Sequence, residues 1–128
     1  MKLAIHSFKS GWSTRWIEYC KINNIQFLLI NCYDHNIIQQ LKDKTITHLM
    51  WHFDHSKPND ILMARNVLFS VKKIGIKAFP NFNTCWHFDD KITQKYLLEA
   101  IDAKIVPSYP FYDKKTAIDW LKISAQYP

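Results

Sequence analysis

The sequence predicts an α/β protein, built on a parallel sheet of four or slightly more strands with helices on both faces. Short apolar runs alternate along the chain with longer stretches of helical period, and this alternation is typical of parallel sheets connected by crossover helices. In addition, 48% of the 128 residues are apolar, which is enough to bury one core and argues against disorder.

Four apolar runs are predicted strands because β-branched and aromatic residues dominate them. These runs are Leu3–Ile5, Ile25–Ile30, Ile46–Phe53 and Ile76–Phe79. A further short strand is predicted between Pro107 and Pro110, which bracket an extended piece. The predicted order is therefore four βα units, followed by a short strand and a helix.

Start and stop signals bound the predicted helices. Pro58 stands where a helix often begins, and Gly75 is the natural C-terminal stop of the same helix. Side chains that can cap a helix precede the other helical stretches. These candidate caps are Ser13 or Thr14, Asn36, Asp89 or Asp90, and Asp113.

The composition and charge favour some classes of binding partner over others. The net charge is +6, yet the basic residues are spread along the chain and their densest runs are pairs such as Lys72-Lys73. A nucleic-acid protein more often carries a basic stripe, so a phosphate-bearing small ligand is favoured over nucleic acid. Three unpaired cysteines, no signal-peptide pattern and no run of about 20 apolar residues predict a reduced, cytoplasmic protein without a membrane partner.

The candidate substrate cleft follows from the predicted sheet. In open parallel sheets ligands bind beyond the carboxyl ends of the strands, which selects the loops at residues 6–10, 52–56 and 81–84. The polar side chains chosen from these loops as substrate-cleft candidates are His6, Ser7, His52, Asp54, His55, Asn81, Asn83 and Thr84. The chain has neither a G-x-G-x-x-G pattern nor a P-loop, so any phosphate must be recognised by side chains or helix termini.

Three interpretations of the second loop stay open. His48 and His52 share a face of a predicted strand but lie roughly 13 Å apart, too far for one metal ion. His52, Asp54 and His55 could instead converge on a metal, contact a polar substrate or face solvent. A solvated loop is the favoured interpretation, the substrate role weighs more than the metal site, and no metal ligand or catalytic residue is predicted. The five tryptophans are expected to pack in the core or a lid rather than to stack on bases.

The segment Asn81–Tyr109, NFNTCWHFDDKITQKYLLEAIDAKIVPSY, resembles the junction at which the ATP-grasp region of ATP-grasp ligases begins. Asp90-Lys91 matches the "DK" that opens a helix there, Gln94 follows it, and Ala103–Pro107 matches the short apolar piece that ends in proline. The family prefers glycine at the position of Ala103. The four preceding βα units look like the Rossmann-like pre-ATP-grasp domain, so the resemblance spans essentially the whole chain.

The resemblance implies a pre-ATP-grasp domain at 1–88 and the start of an ATP-grasp domain at 89–128. It implies that Lys91 contacts ATP phosphate, and that the parent protein is a ligase joining a small carboxylate substrate to an amine or thiol through an acyl phosphate. ATP and magnesium would serve the parent. The family's magnesium ligands would lie downstream of residue 128, so we expect these residues alone to be inactive and to hold no cofactor tightly. The resemblance also admits a homodimer.

Two alternatives remain open: a standalone flavodoxin-like or receiver-like ligand-binding module, and a protein-interaction domain. A receiver needs an acidic cluster after strand one, where this chain has His6-Ser7. A flavin site needs a loop rich in Ser, Thr and Gly, and residues 7–14 match that pattern weakly. Both observations favour the ligase interpretation.

Overall fold

The computed structural model describes residues 1–8 and 11–124. Its elements in chain order are β1 (Leu3–His6), α1 (Ser13–Ile22), β2 (Phe27–Ile30), α2 (Ile37–Asp43), β3 (His48–Met50), α3 (Pro58–Lys73), β4 (Lys77–Phe79), α4 (Phe82–Cys85), α5 (Lys91–Glu99) and α6 (Lys114–Ser124). The chain divides into two compact units, Met1–Asp89 and Asp90–Pro128.

The first unit contains a four-stranded, all-parallel sheet with the order β2-β1-β3-β4. Strand β1 pairs with β2 on one side and with β3 on the other, so the chain reverses its direction of travel across the sheet after β2. Because crossover connections are right-handed, this reversal places α1 on one face and α2 and α3 on the opposite face. The predicted α/β fold with a parallel sheet is confirmed.

The smaller core lies on the α1 face. Leu3 and Ile5 point from β1 toward Cys20 of α1, and all three side chains are buried. Trp16 and Ile17 of the same helix pack against them, as the helical spacing of these residues predicts. Removing such side chains from water contributes roughly 1.5–3 kcal/mol each, which is why α1 stays on the sheet.

The larger core lies on the opposite face. Ala4 of β1 and Leu49 of β3 pack there against the buried faces of α2 and α3. Trp51, immediately after β3, is the largest fully buried side chain and belongs to the same cluster. This core extends to the carboxyl ends of β1 and β3. It therefore supports the loops that follow these two strands.

Local signals explain most of the helix ends. Pro58 is the first residue of α3, and Gly75 adopts a φ of 79° just after it, a left-handed conformation that glycine takes at little cost. Asp90 accepts a hydrogen bond from the Thr93 amide, the side-chain cap expected for α5. The same prediction for Asn36 is wrong, because its backbone is not extended and its side chain makes no hydrogen bond to an amide of α2.

Two further features differ from the sequence prediction. No strand forms between Pro107 and Pro110, which lie within the described residues, since proline lacks the amide needed for a ladder. The short helix α4 was not predicted; it forms because the Asn81 side chain accepts hydrogen bonds from the amides of Asn83 and Thr84. A helix of this length has no apolar period that a sequence could reveal.

The second unit contains α5 and α6, and neither helix buries a residue completely. Its main aromatic contact joins Trp120 to Tyr109, with ring centroids 4.6 Å apart, and to Phe111 at 5.6 Å. Within residues 1–8 and 11–124, no helix combines the length and apolarity required to cross a membrane.

Candidate functional site

A cleft of about 570 Å³ opens in the first unit where β1 and β3 end. The connections that follow these neighbouring strands lead to opposite faces of the sheet, which makes this position the topological switch point where open α/β sheets bind ligands. The aromatic, histidine and charged side chains that line the cleft are Phe8, Trp12, Arg15, His52, Phe53, Asp54, His55, Phe88 and Asp89.

One wall of the cleft is formed by residues that follow β1, and Ser13 stabilises it. Its buried hydroxyl accepts a hydrogen bond from the Phe8 amide at 2.8 Å and donates one to the Phe8 carbonyl at 3.0 Å. Gly11 approaches closely here, since an added Cβ would lie 3.0 Å from the Phe8 ring. These contacts of Ser13 and Gly11 with Phe8 hold the start of α1 so that Trp12 and Arg15 line the cleft. Residues 9 and 10 of the predicted substrate loop lie outside the described residues.

The wall that follows β3 is shaped by Asp54. Its carboxylate accepts hydrogen bonds from the Ser56 hydroxyl at 2.6 Å and amide at 2.9 Å, and it pairs with the Lys57 ammonium at 3.1 Å. These partners, Ser56 first, lower the pKa of Asp54 to about 2. Asp54 therefore stays ionised at neutral pH and already has its oxygens engaged. It fixes the loop and is a poor general base.

Two histidines lie along the floor of the cleft. The ring centroids of His52 and His55 are 6.3 Å apart, and His55 also stacks on buried Phe53 at 4.3 Å. Burial, followed by the neighbouring charge of His52, lowers the pKa of His55. His55 is therefore neutral at pH 7 and can offer one ring nitrogen as donor and the other as acceptor.

The structure does not bring His6 into the cleft. His6 is 5% exposed, and its Nδ1 accepts a hydrogen bond from the Cys32 amide at 3.0 Å, which leaves the proton of the neutral ring on Nε2. Its ring contacts those of Tyr33 and Trp51, at centroid distances of 5.0 and 5.6 Å. His6 thus joins β1 to the segment after β2. The adjacent Ser7 is exposed but does not line the cleft.

Acidification from about pH 7.5 to about pH 5.5 is expected to lower the free energy of unfolding through His6. Burial holds the pKa of this imidazole below 6.5 in the folded protein, so the unfolded chain takes up the proton first. The contribution is complete above pH 6.5 and is lost as the pH falls through the folded pKa. Urea unfolding at a series of pH values measures it. The loss should shrink in His6→Gln, and an unchanged loss in that variant would contradict the assignment.

The loop after β4 does not line this cleft. Asn81 and Asn83 line a separate recess of about 380 Å³ beside the C-terminal end of α3, and the Asn83 side-chain oxygen accepts a hydrogen bond from Lys72. Thr84 bonds to the Asn81 carbonyl. The structure therefore brings together His52, Asp54 and His55 from the predicted set, and keeps the three residues of this loop apart from them.

The cleft also contains residues that were not predicted as site residues. Trp12 was expected to serve packing, yet it is 54% exposed and lines the cleft, with the Arg15 guanidinium 5.1 Å from its ring centroid. A signal was present: Trp12 and Arg15 are three residues apart in the first turn of the helix that follows β1, so both face the strand ends. Phe88 gave no comparable signal.

Lys91 belongs to the second unit. It is the first residue of α5, directly after the capping Asp90, and its ammonium lies 3.4 Å from the Gln94 side-chain oxygen. An ammonium at this position adds positive charge to the positive end of a helix, an arrangement that favours an anion nearby.

The cleft combines charged side chains with two imidazoles. Arg15 supplies a fixed positive charge with a forked set of donors, and His55 supplies a neutral donor and acceptor. Among residues 1–8 and 11–124, no group of three or more His, Cys, Asp or Glu side chains is arranged to hold a metal ion. Comparisons of this chain with protein-family models, with curated proteins and with solved structures found no significant match.

Proposed function

We propose that this chain is the substrate-side part of an ATP-grasp carboxylate–amine or carboxylate–thiol ligase, and that its first unit binds a small anionic substrate. The observation that carries this proposal is the cleft at the switch point between β1 and β3, where Arg15 stands at the start of α1. Sites of this kind bind ligands in open α/β sheets of many functions. The resemblance of residues 81–109 supports the ligase class.

The electrostatics of the cleft support an anion. The guanidinium of Arg15 matches the geometry of a carboxylate or phosphate and can bind either through two parallel hydrogen bonds. The N-terminal end of α1, which adjoins the cleft at Trp12, adds the positive end of a helix dipole. The carboxylates of Asp54 and Asp89 also line the cleft and oppose this field, and the Lys57 ammonium offsets the charge of Asp54 at 3.1 Å.

Within the same proposal, Lys91 contacts the phosphates of ATP. The resemblance of residues 81–109 aligns it with the lysine of the "DK" pair, and it is the first residue of α5. In the parent enzyme, ATP supplies the phosphoryl group that activates the substrate carboxylate. The residues of this chain hold the substrate and one part of the nucleotide, and no catalytic residue is assigned to them.

Amide resonances of the isotopically labelled chain, followed during titration with succinate and with inorganic phosphate, test the substrate site. Shifts are expected at residues 11–13 and 52–56. The amides of residues 81–84, in the separate recess, serve as an internal control and should stay still. Shifts confined to that recess, or none at all, would overturn the site. ATP-dependent ligation by these 128 residues alone would contradict the assigned division of labour.

A further inference from the structure

The floor and walls of the cleft carry a continuous row of four rings, Trp12, His52, His55 and Phe88, which we call the aromatic row. Successive ring centroids are 6.4, 6.3 and 4.6 Å apart. The row runs from the start of α1, past the loop after β3, to the segment that ends the first unit. All four residues line the cleft.

The outer surface of the aromatic row is open. Trp12 is 54% exposed and Phe88 is 57% exposed, so two large apolar rings meet solvent inside a concave site. Behind the row, buried Phe53 packs 4.3 Å from the His55 ring and anchors that part of it to the core. Successive rings of the row are tilted by 59°, 66° and 56°, so a flat ligand can stack on one ring at a time, and the exposed ring of Trp12 is available for this.

The charges around the row decide which flat ligand suits it. A cation is disfavoured at Trp12, because the protein already places the Arg15 guanidinium 5.1 Å from the centroid of that ring. Arg15 also attracts an anion, whereas the charge of Lys57 is already paired with Asp54 at 3.1 Å. A ligand that satisfies both features has a ring to stack and a negatively charged group to reach Arg15.

We propose that the substrate of this cleft is an anion carried on a six-membered ring, with the ring stacked on Trp12 at one end of the aromatic row. This inference rests on the proposed anionic substrate and adds the ring. The ring has two possible sources that share this chemistry, an aromatic acid and a pyranose acid, because both present a flat face of C–H or π character to an indole.

Two pairs of acids with equal charge test the inference by calorimetric titration at one salt concentration. Benzoate is compared with hexanoate, and glucuronate with open-chain gluconate, so that each pair differs in the presence of a ring. We expect at least one ring acid to bind about fivefold or more tightly than its partner, in line with the cost of removing a stacking platform. Preference within the first pair identifies an aromatic acid, and within the second a sugar acid.

Variants of Trp12 separate stacking from charge. Trp12→Ala should bring the preferred ring acid down to the affinity of its open-chain partner, whereas Trp12→Phe should keep most of the preference. Trp86→Ala is the matched control, because Trp86 is 42% exposed in the same unit but does not line the cleft. Equal binding within both pairs, with no effect of Trp12→Ala, would contradict the proposed preference for a ring but not the proposed anion site. If no acid binds, the proposed anion site fails together with the ring.

Discussion

Replacing Trp51 by alanine is expected to lower the free energy of unfolding by about 3–5 kcal/mol. The side chain is completely buried, and its ring packs against those of Tyr33 and Phe53 at centroid distances of 5.5 and 5.8 Å. Since small domains are stable by only about 5–15 kcal/mol, this change removes a large share of the total. The loop that begins at His52 follows Trp51 directly, so the cleft should loosen as well.

Urea unfolding of the variant, followed by far-ultraviolet circular dichroism, measures this loss. Trp51→Phe should cost less than the alanine change. It keeps an aromatic ring in the site, and the indole N–H that it removes makes no hydrogen bond within the described part of the chain. Trp86→Ala is the control at an exposed site, with an expected effect within about 0.5 kcal/mol. A cost for Trp51→Ala as small as that of the control would show that Trp51 does not support the core.

The fold could be predicted where local signals agree with the pattern of burial. Helix α3 has both, since Pro58 opens it, Gly75 stops it, and its buried residues recur with helical spacing. Three of the four predicted strands were longer than the real ones: the run at 46–53, for example, contains β3 only at His48–Met50. Its remaining apolar residues pack in the core without pairing as a strand. An apolar run by itself does not show which of its residues pair in a sheet and which only pack in the core.

The site was predictable where it depends on strand order alone. The rule about strand ends selected His52 and His55, which follow β3. It also selected His6, which the alternation of side chains along β1 places on the same face as Ala4, in the core behind the cleft. Phe88 was not predicted because its position depends on the path of the chain after α4. No periodic pattern in the sequence indicates that path.

Replacing Arg15 by alanine is expected to weaken the binding of carboxylate and phosphate ligands by roughly 10–100-fold, the range for a lost hydrogen-bonded charge. Arg15 stands in the cleft at the start of α1, where its guanidinium and the end of the helix add their positive fields. Arg15→Lys should recover part of the affinity, since it restores the charge but not the fork of donors. Calorimetric titration with succinate at low and high salt measures the effect, and Lys21→Ala, at the far end of α1 and outside this cleft, is the control for net charge. If Arg15→Ala binds the anion no more weakly than Lys21→Ala at low salt, the anion lies elsewhere and the substrate cleft must be reassigned.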